Sequence, residues 1–518
     1  MKPFKRLTAV VGAMAMALPL ALVACSSKAE EKADPADLAT LTVMIPLLAA
    51  DAAAPAVDGE VHKAVEAFTG KKLQATWVPN SNYGDRMNVT LASDNLPEVM
   101  VVQGKLPAFV QSAEAGAFWN LTGKLDAYPN LKAENKQIEL NSSINGQVYG
   151  IYRRRDPMRA AVIVRKDWLT KLGLSMPETV DDLYRIAKAF TENDPDGNGK
   201  KDTYGLTIPK WPGVYATASP YDVIETWFGA PNGWGERNGK LVPGFDTPEF
   251  LEANRFVKKM LTEGLINPDF ATLDSAKWDQ QFFTGKGGII VDVSSRASVL
   301  TRLFKEKDAA TYTNFVDLTG NLTGPDGKKR SYPTIGYNGF LAISKQSVPT
   351  EAELKDVLTT LDKLSSKQGQ ILLNNGFEGK NFKVQEGYAV GQNATDPAMK
   401  TITNDVMSYA QLGTASNGYL AYVSLPAGQF EKEQYEKRVK FHKADEASAV
   451  HNPAQAIVSK TQVAKGAQLD QIIADARVKF LAGQLDEAGL KAEIQRWYSQ
   501  GGADIVKEMN EQYAKVKK

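Results

Sequence analysis

An α/β protein built as two lobes is the fold class this sequence predicts, and three observations predict it. A chain of 518 residues with 43% hydrophobic side chains can form two sizeable cores rather than one. Short apolar runs alternate with amphipathic helical stretches, the pattern of largely parallel sheets covered by helices. The two halves share that pattern without any short-period repeat, which fits two similar lobes joined by chain crossings.

The elements follow in order. Leu41, Val43 and Ile45 alternate as a strand, and Val61, Ala64, Val65 and Phe68 mark a helix that Gly70 ends. Leu73 to Val78 is a second strand, Asp85 to Ser93 is helical, and Val99 to Val102 is a third strand. Asn145-Gly146 is a hairpin turn signal beside two β-rich runs, Val148 to Arg153 and Ala160 to Arg165, with the first crossing between lobes at 153–160. From Arg165 to Gly205 the chain reads as strand end, short helix, Pro turn, longer helix, carboxylate-rich loop and new strand. Thr179 and Asp182 form a capping box for the longer helix, and Leu183, Ile186, Ala187 and Phe190 give it an apolar face.

Further strands are predicted near Tyr204 to Ile208 and Gly288 to Val293, with a small hairpin at Asn238-Gly239. Between them a helix starts at Thr247-Pro248, runs to Met260 and stops at Gly264. Thr334 to Ile343 is a strand that returns to the first lobe. The last third is mostly helical, with helix periodicity over Gln429 to Phe441, Gln468 to Leu481 and Asp486 to Tyr498. The expected organisation is a first lobe of 38–155 plus about 333–388, and a second of 156–332 plus about 389–518.

Ahead of the folded part lies an export signal. Lys2, Lys5 and Arg6 precede an apolar run from Leu7 to Val23 that ends in Leu22-Val23-Ala24-Cys25. That four-residue run resembles a lipobox, in which Cys25 is acylated and becomes the new N-terminus; Cys25 is the only cysteine in the chain. Residues 1–24 are then a signal peptide, residues 25–37 a polar tether, and the mature protein sits lipid-anchored on the extracellular face of the cell membrane. Removing Lys2, Lys5 and Arg6 with the leader takes the net charge from +1 to −2. No basic footprint for nucleic acid remains.

Two constellations carry chemistry. Asp194, Asp196, Asn198, Gly199 and Asp202 stand at positions 1, 3, 5, 6 and 9 of a calcium loop, with Lys200 offering its carbonyl at position 7. Gly205 occupies position 12, where a bidentate Glu usually closes such a site. The competing reading is a polar helix-to-strand turn whose Asp side chains cap backbone amides. The second constellation is aromatic: Trp211, Tyr215, Tyr221, Trp227, Phe228 and Trp234, followed by Trp278. Sugar C–H faces stack on such rings, and Trp211, Tyr215, Trp227, Trp234 and Trp278 are the candidates, although core packing is the commoner fate of any one aromatic.

The segments RKDWLTKLGL, PETVDDL and DPDGNGKKDTYGLT, with LASDNLPEVMVV, FGAPNGW, EGLINPDF and QRWYSQGGADIVKEMNEQY, carry a resemblance. The chain resembles the extracellular solute-binding lipoproteins of carbohydrate ABC importers, in the branch that includes alginate-binding proteins and other oligosaccharide receptors. The resemblance implies a periplasmic-binding-protein-like fold with a cleft between lobes, an oligosaccharide ligand captured by hinge closure, delivery to a permease, and a structural calcium ion. Thr203 departs from it, since related proteins often carry Glu there.

Candidate ligand contacts on the first lobe are Asn82, Tyr83, Gln103, Tyr337 and Asn338, and on the second Asp292 and Arg296. Arg153 and Arg155 share a face of an extended run at the crossing, where either can grip a carboxylate or vicinal hydroxyls; solvated charges or salt bridges between lobes are the alternative. The expected receptor is a monomer without catalytic residues. A secreted glycoside-active enzyme with two carboxylates across the cleft, or a surface glycan-binding adhesin, are the rival readings. Other chemistries lack their marks: His62, His442 and His451 are isolated, and neither G-x-S-x-G nor G-x-x-x-x-G-K-[ST] occurs.

Overall fold

The computed structural model describes residues 40–48, 53–93, 95–211, 218–275, 277–416, 418–424 and 428–516. The expected signal peptide and tether, with Cys25, and also Tyr215 lie outside the described residues.

The first sheet begins with β1 (Thr40–Leu47), β2 (Lys72–Pro79) and β3 (Val99–Val102), all parallel. β4 (Ile151–Arg154) ends this part of the chain, and residues 155–159 cross to the second sheet. There β5 (Ala160–Arg165) and β6 (Tyr204–Leu206) are followed by a hairpin, β7 (Trp234–Arg237) and β8 (Lys240–Pro243), then β9 (Gly287–Val293) and β10 (Val316–Thr319). The chain then returns as β11 (Tyr337–Ile343), inserted between β3 and β4. The orders are β2-β1-β3-β11-β4 and β10-β5-β9-β6.

Neither sheet is purely parallel, in contrast to the sequence expectation. β11 runs antiparallel to β3 and β4, and β5 runs antiparallel to β9 and β10. The reason is where the chain enters. A strand arriving from the other lobe enters at the edge where the parallel strands end, so it must run back against them.

The second sheet is buried on both faces, as strands sandwiched between helices must be. Val162 and Val164 of β5 join one core, while Ala161 and Ile163 face another; β9 divides in the same way, with Ile289 and Val291 on one side and Ile290 on the other. Helices Lys460–Leu481, Glu487–Trp497 and Ala503–Val516 complete the first of these with Ile473, Phe480, Trp497 and Ile505. Met399, Ile402, Val406, Tyr409 and Leu412 instead pack into the core of the first sheet. The stretch after 388 is therefore shared between lobes, because helix Pro397–Tyr409 turns its apolar face to the first one.

The segment 165–205 folds as its residues dictate. Thr179 Oγ1 accepts from the Asp182 amide at 3.0 Å, and Asp182 Oδ2 accepts from the Thr179 amide at 3.0 Å. Leu183, Ile186, Ala187 and Phe190 are buried, and Phe190 meets Trp168 edge-on with ring centroids 5.2 Å apart. Gly205 lies against this helix so closely that a Cβ there would stand 2.2 Å from the Ala187 carbonyl oxygen.

One ionic cluster lies within the second core. Arg477 stands 3.3 Å from Glu225 and 3.6 Å from Asp222, and Asn254 Nδ2 donates to Glu225 Oε1 at 3.0 Å. Burial pushes the Glu225 carboxyl up to about 7, against the pull of Arg477 and with help from Asp222. Above its ordinary value of 4.5 the folded chain therefore keeps a proton that the unfolded chain releases. The resulting stability is present at low pH and is lost as pH rises through about 7. Urea denaturation at pH 5 and pH 8 is expected to show this group's contribution, on the order of 2–3 kcal/mol, fall over that interval. Glu225→Gln is expected to flatten the slope; an unchanged slope in the variant contradicts the assignment.

Candidate ligand-binding cleft

In open α/β sheets ligands collect outside the carboxyl ends of the parallel strands. On the first lobe that edge carries exposed amides: Asn80 and Asn82 after β2, Gln103 after β3, and Asn338 at the start of β11. Gln103 Nε2 donates to Asn80 Oδ1 at 2.7 Å, which braces two of them. Planar amides of this kind both donate to and accept from sugar hydroxyls. Register pairs Tyr337 with Arg154, so Arg155 emerges from β4 at the same edge.

On the second lobe the matching edge holds Trp211 just past β6 and Asp292 near the end of β9. Trp211 is half-buried and tilted against Trp278, with ring centroids 5.9 Å apart. The Arg296 guanidinium lies 4.5 Å over the Trp278 ring, pairs with Asp279 at 2.6 Å and is hydrogen-bonded to Asp292. Arg296 and Asp292 are thus brought together, as a braced pair behind an aromatic platform. Burial raises the Asp292 carboxyl, and the Arg296 charge opposes that rise.

Several residues expected at the ligand are placed elsewhere. Trp227 is fully buried, its Nε1 donating to Asn321 Oδ1 at 3.0 Å, so it belongs to the second core. Trp278 is equally buried and supports Trp211 instead of presenting its own face. Tyr83 is buried with its hydroxyl 3.0 Å from the Met44 carbonyl and 2.7 Å from that of Val101, so it straps β1 to β3. Tyr337 is buried against Phe340. Arg153 is also buried, and its donors go to the main-chain carbonyls of Gly413, Asn338 and Ala410 at 3.1, 2.8 and 3.2 Å. It welds the crossing to the 410–413 turn.

Trp234 keeps partial exposure and lines a cavity of about 490 Å³ that takes Lys105 and Pro107 from the first lobe and Phe245 and Trp497 from the second. That volume lies within the range of small-molecule sites. The crossing also gathers residues that the sequence analysis did not single out: Arg159, Arg438, and Asp156, whose Oδ2 lies 3.1 Å from His442 Nδ1. Arg159 was legible as the fourth arginine of RRRDPMR. Arg438 and His442 lie on a charged helix, Gln429–Asp445, with no local signal to mark them.

In the calcium-type loop, Asp194 accepts the amides of Gly197 and Asn198 at Oδ1 and of Gly199 at Oδ2, all at 3.0 Å. Asn198 Nδ2 reaches Asp196 Oδ2 at 2.7 Å and Asp202 Oδ1 at 3.1 Å. Lys286 Nζ pairs with Asp202 at 2.6 Å and, with Asn198, holds that carboxyl below the usual carboxylate range. Among the described residues no three His, Cys, Asp or Glu side chains are grouped as a metal cluster. The donor chemistry is nevertheless that of a hard cation: oxygen ligands at alternate positions, with Gly199 at φ 75° allowing the bend.

Two α/β lobes, each presenting the carboxyl edge of its sheet beside shared crossings, define the binding-protein class of fold. Comparison with known proteins agrees. The profile of the bacterial extracellular solute-binding proteins matches residues 53–371, and the chain belongs to that family. It is 43% identical over 510 residues to lipoprotein LipO of Bacillus subtilis (strain 168), covering 97% of this chain and 98% of LipO. It is 32% identical over 456 residues to the polygalacturonan/rhamnogalacturonan-binding protein YtcQ of the same organism, with 88% of each covered. Among solved structures, the HMO binding ABC-transporter associated solute-binding protein of Bifidobacterium longum infantis superposes with a TM-score of 0.69 at 18% identity, over 92% of this chain and 98% of that one.

Proposed function

We propose that the protein is the substrate-binding component of a carbohydrate ABC importer. It captures an oligosaccharide between its lobes, closes about the crossings, and hands the sugar unaltered to a membrane permease. The observation that carries this reading is the opposition of chemistry on the two edges, with exposed amides on the first lobe and Trp211 backed by Trp278 and Arg296 on the second. A ring for the C–H face and amides for the hydroxyls are what a sugar requires. The carbohydrate-binding name of a relative that aligns over 88% of the chain supports the same class. Asp292 and Asp279 are both bonded to the same Arg296 guanidinium, which engages them as structural acceptors behind the Trp211–Trp278 pair. In keeping with this reading the protein is a monomer that turns over no substrate.

Anchoring belongs to the same proposal. Cys25 becomes acylated and the mature chain hangs from the membrane by the 25–37 tether, a reading supported by the lipoprotein name of the 43% identical relative. Cys25→Ala is expected to release the protein into the medium or leave it unprocessed; retention of a processed, lipid-labelled chain contradicts that anchor.

Tryptophan emission titrated with a panel of oligosaccharides tests capture. Saturable change with no new reducing ends is expected, and Trp211→Ala is expected to weaken binding roughly 10-fold or more. Release of reducing ends favours the enzyme reading instead.

A calcium ion is proposed for the 194–202 loop as a structural cofactor. Asp194, Asp196, Asn198, the Lys200 carbonyl and Asp202 would hold it, and the ion would tie the helix end to the strand that follows. Lys286 competes for Asp202. Thermal denaturation with calcium and with chelator is expected to show stabilisation by calcium, larger in Lys286→Ala. Identical curves for both proteins under both conditions favour the amide-capped turn without an ion.

A further inference from the structure

Five arginines gather where the chain crosses between lobes, four from the crossing itself and Arg438 from a later helix, and they are not alike. The donors of Arg153 are taken up by main-chain carbonyls. Arg154 points to the other side of its strand, pairing with Glu134 at 2.8 Å. Arg155 and Arg159, with Arg438 from helix Gln429–Asp445, form no ion pair with any carboxylate among the described residues.

Their positions follow from strand register. Arg155 leaves the end of β4, beside the start of β11, on the carboxyl edge of the first sheet. Arg159 precedes β5, beside the end of β9, on the carboxyl edge of the second; its carbonyl accepts from the Ser294 amide at 2.7 Å. Arg438 lies with its guanidinium 4.8 Å from the Tyr435 ring centre. Arg159 is only 8% exposed, and Arg155 and Arg438 are half-buried. Burial, then the charge of Arg155, brings the Arg159 guanidinium down to about 10; burial lowers Arg155 and Arg438 as well.

The nearby carboxylates are committed elsewhere. Asp292 is hydrogen-bonded to Arg296, and Asp156 is shared between His442 and the Met158 amide at 2.9 Å. Asp156 and Asp292 still attract Arg159 without bonding to it, and Asp156 attracts Arg438, but burial outweighs that attraction. Withdrawing guanidinium groups from water with so little compensation is unfavourable, and bringing them near one another adds repulsion. An anion lying between them removes both costs. Guanidinium forks match a planar carboxylate bidentately.

We propose that Arg155, Arg159 and Arg438 form an anion site in the floor of the cleft, and that the ligand is an acidic oligosaccharide held there by a sugar carboxylate. The inference rests on the carbohydrate-receptor reading above and narrows it to uronate-bearing ligands. Because Arg155 and Arg159 belong to opposite lobes, the same carboxylate bonds to both and favours the closed arrangement. A sulfate ester offers similar charge, and the choice between the two anions is part of the test.

Calorimetry on the full mature chain would use trimers of galacturonate and of mannuronate, their carboxyl-reduced neutral counterparts, and a sulfated galactose trimer. At least one uronate trimer is expected to bind about 30-fold or more tightly than its neutral counterpart. That preference is expected to shrink in Arg159→Gln and in Arg438→Gln, the second being a half-exposed helix position that leaves the core untouched. Equal affinity for uronate and neutral trimers, or a preference that survives both substitutions, overturns the anion site while leaving the carbohydrate receptor standing. Tighter binding of the sulfated trimer overturns the carboxylate assignment. Indifference to every trimer sinks the receptor reading as well.

Discussion

The constraint on which this structure depends is the point at which the chain changes lobes. Each passage happens at the edge where the parallel strands end, so the incoming strand must run backward through its new sheet. That single requirement makes both sheets mixed. It also brings the carboxyl edges of the two sheets side by side, and so places the candidate ligand contacts of two separate lobes at one seam. Arg153, buried and bound to three carbonyls, secures one passage against the 410–413 turn.

Element type and order were largely legible because local chemistry and tertiary packing agree. The Thr179–Asp182 box, the Asn145-Gly146 and Asn238-Gly239 turns, and the Pro248 helix start all form where residue type demands. Strand direction was less legible, since β11 has the same composition whether it runs with or against β3. The share of the chain after 388 was misread for a related reason: an apolar helix face shows that Pro397–Tyr409 packs, without showing against which core.

Ligand chemistry was legible as a class and poorly legible by residue. An indole has the same sequence signature whether it donates to Asn321 in a core, as Trp227 does, or leans out over another ring, as Trp211 does. Tyr83 stood at the right edge of the sheet, yet its hydroxyl turns inward to strap two strands. The arginines divide in the same way. Arg153 and Arg155 share one face of an extended run, but only the first finds backbone carbonyls. Arg438 arrives from a helix far along the chain, and no spacing rule could have paired it with Arg159.

Gly205 shows how packing can limit what a loop is able to become. With no room for even a methyl group between it and the Ala187 carbonyl, that position cannot be given a carboxylate without prising the helix from the strand. The position where comparable loops place a closing Glu is therefore shut to a carboxylate. Thr203, buried with its hydroxyl donating to the Phe190 carbonyl at 2.7 Å, offers no easy substitute, and the adjustable group beside the loop's carboxylates is Lys286 on Asp202. A frame that rigid also makes the 165–205 segment a fixed reference, against which displacement of the rest of the molecule could be gauged by a distance probe.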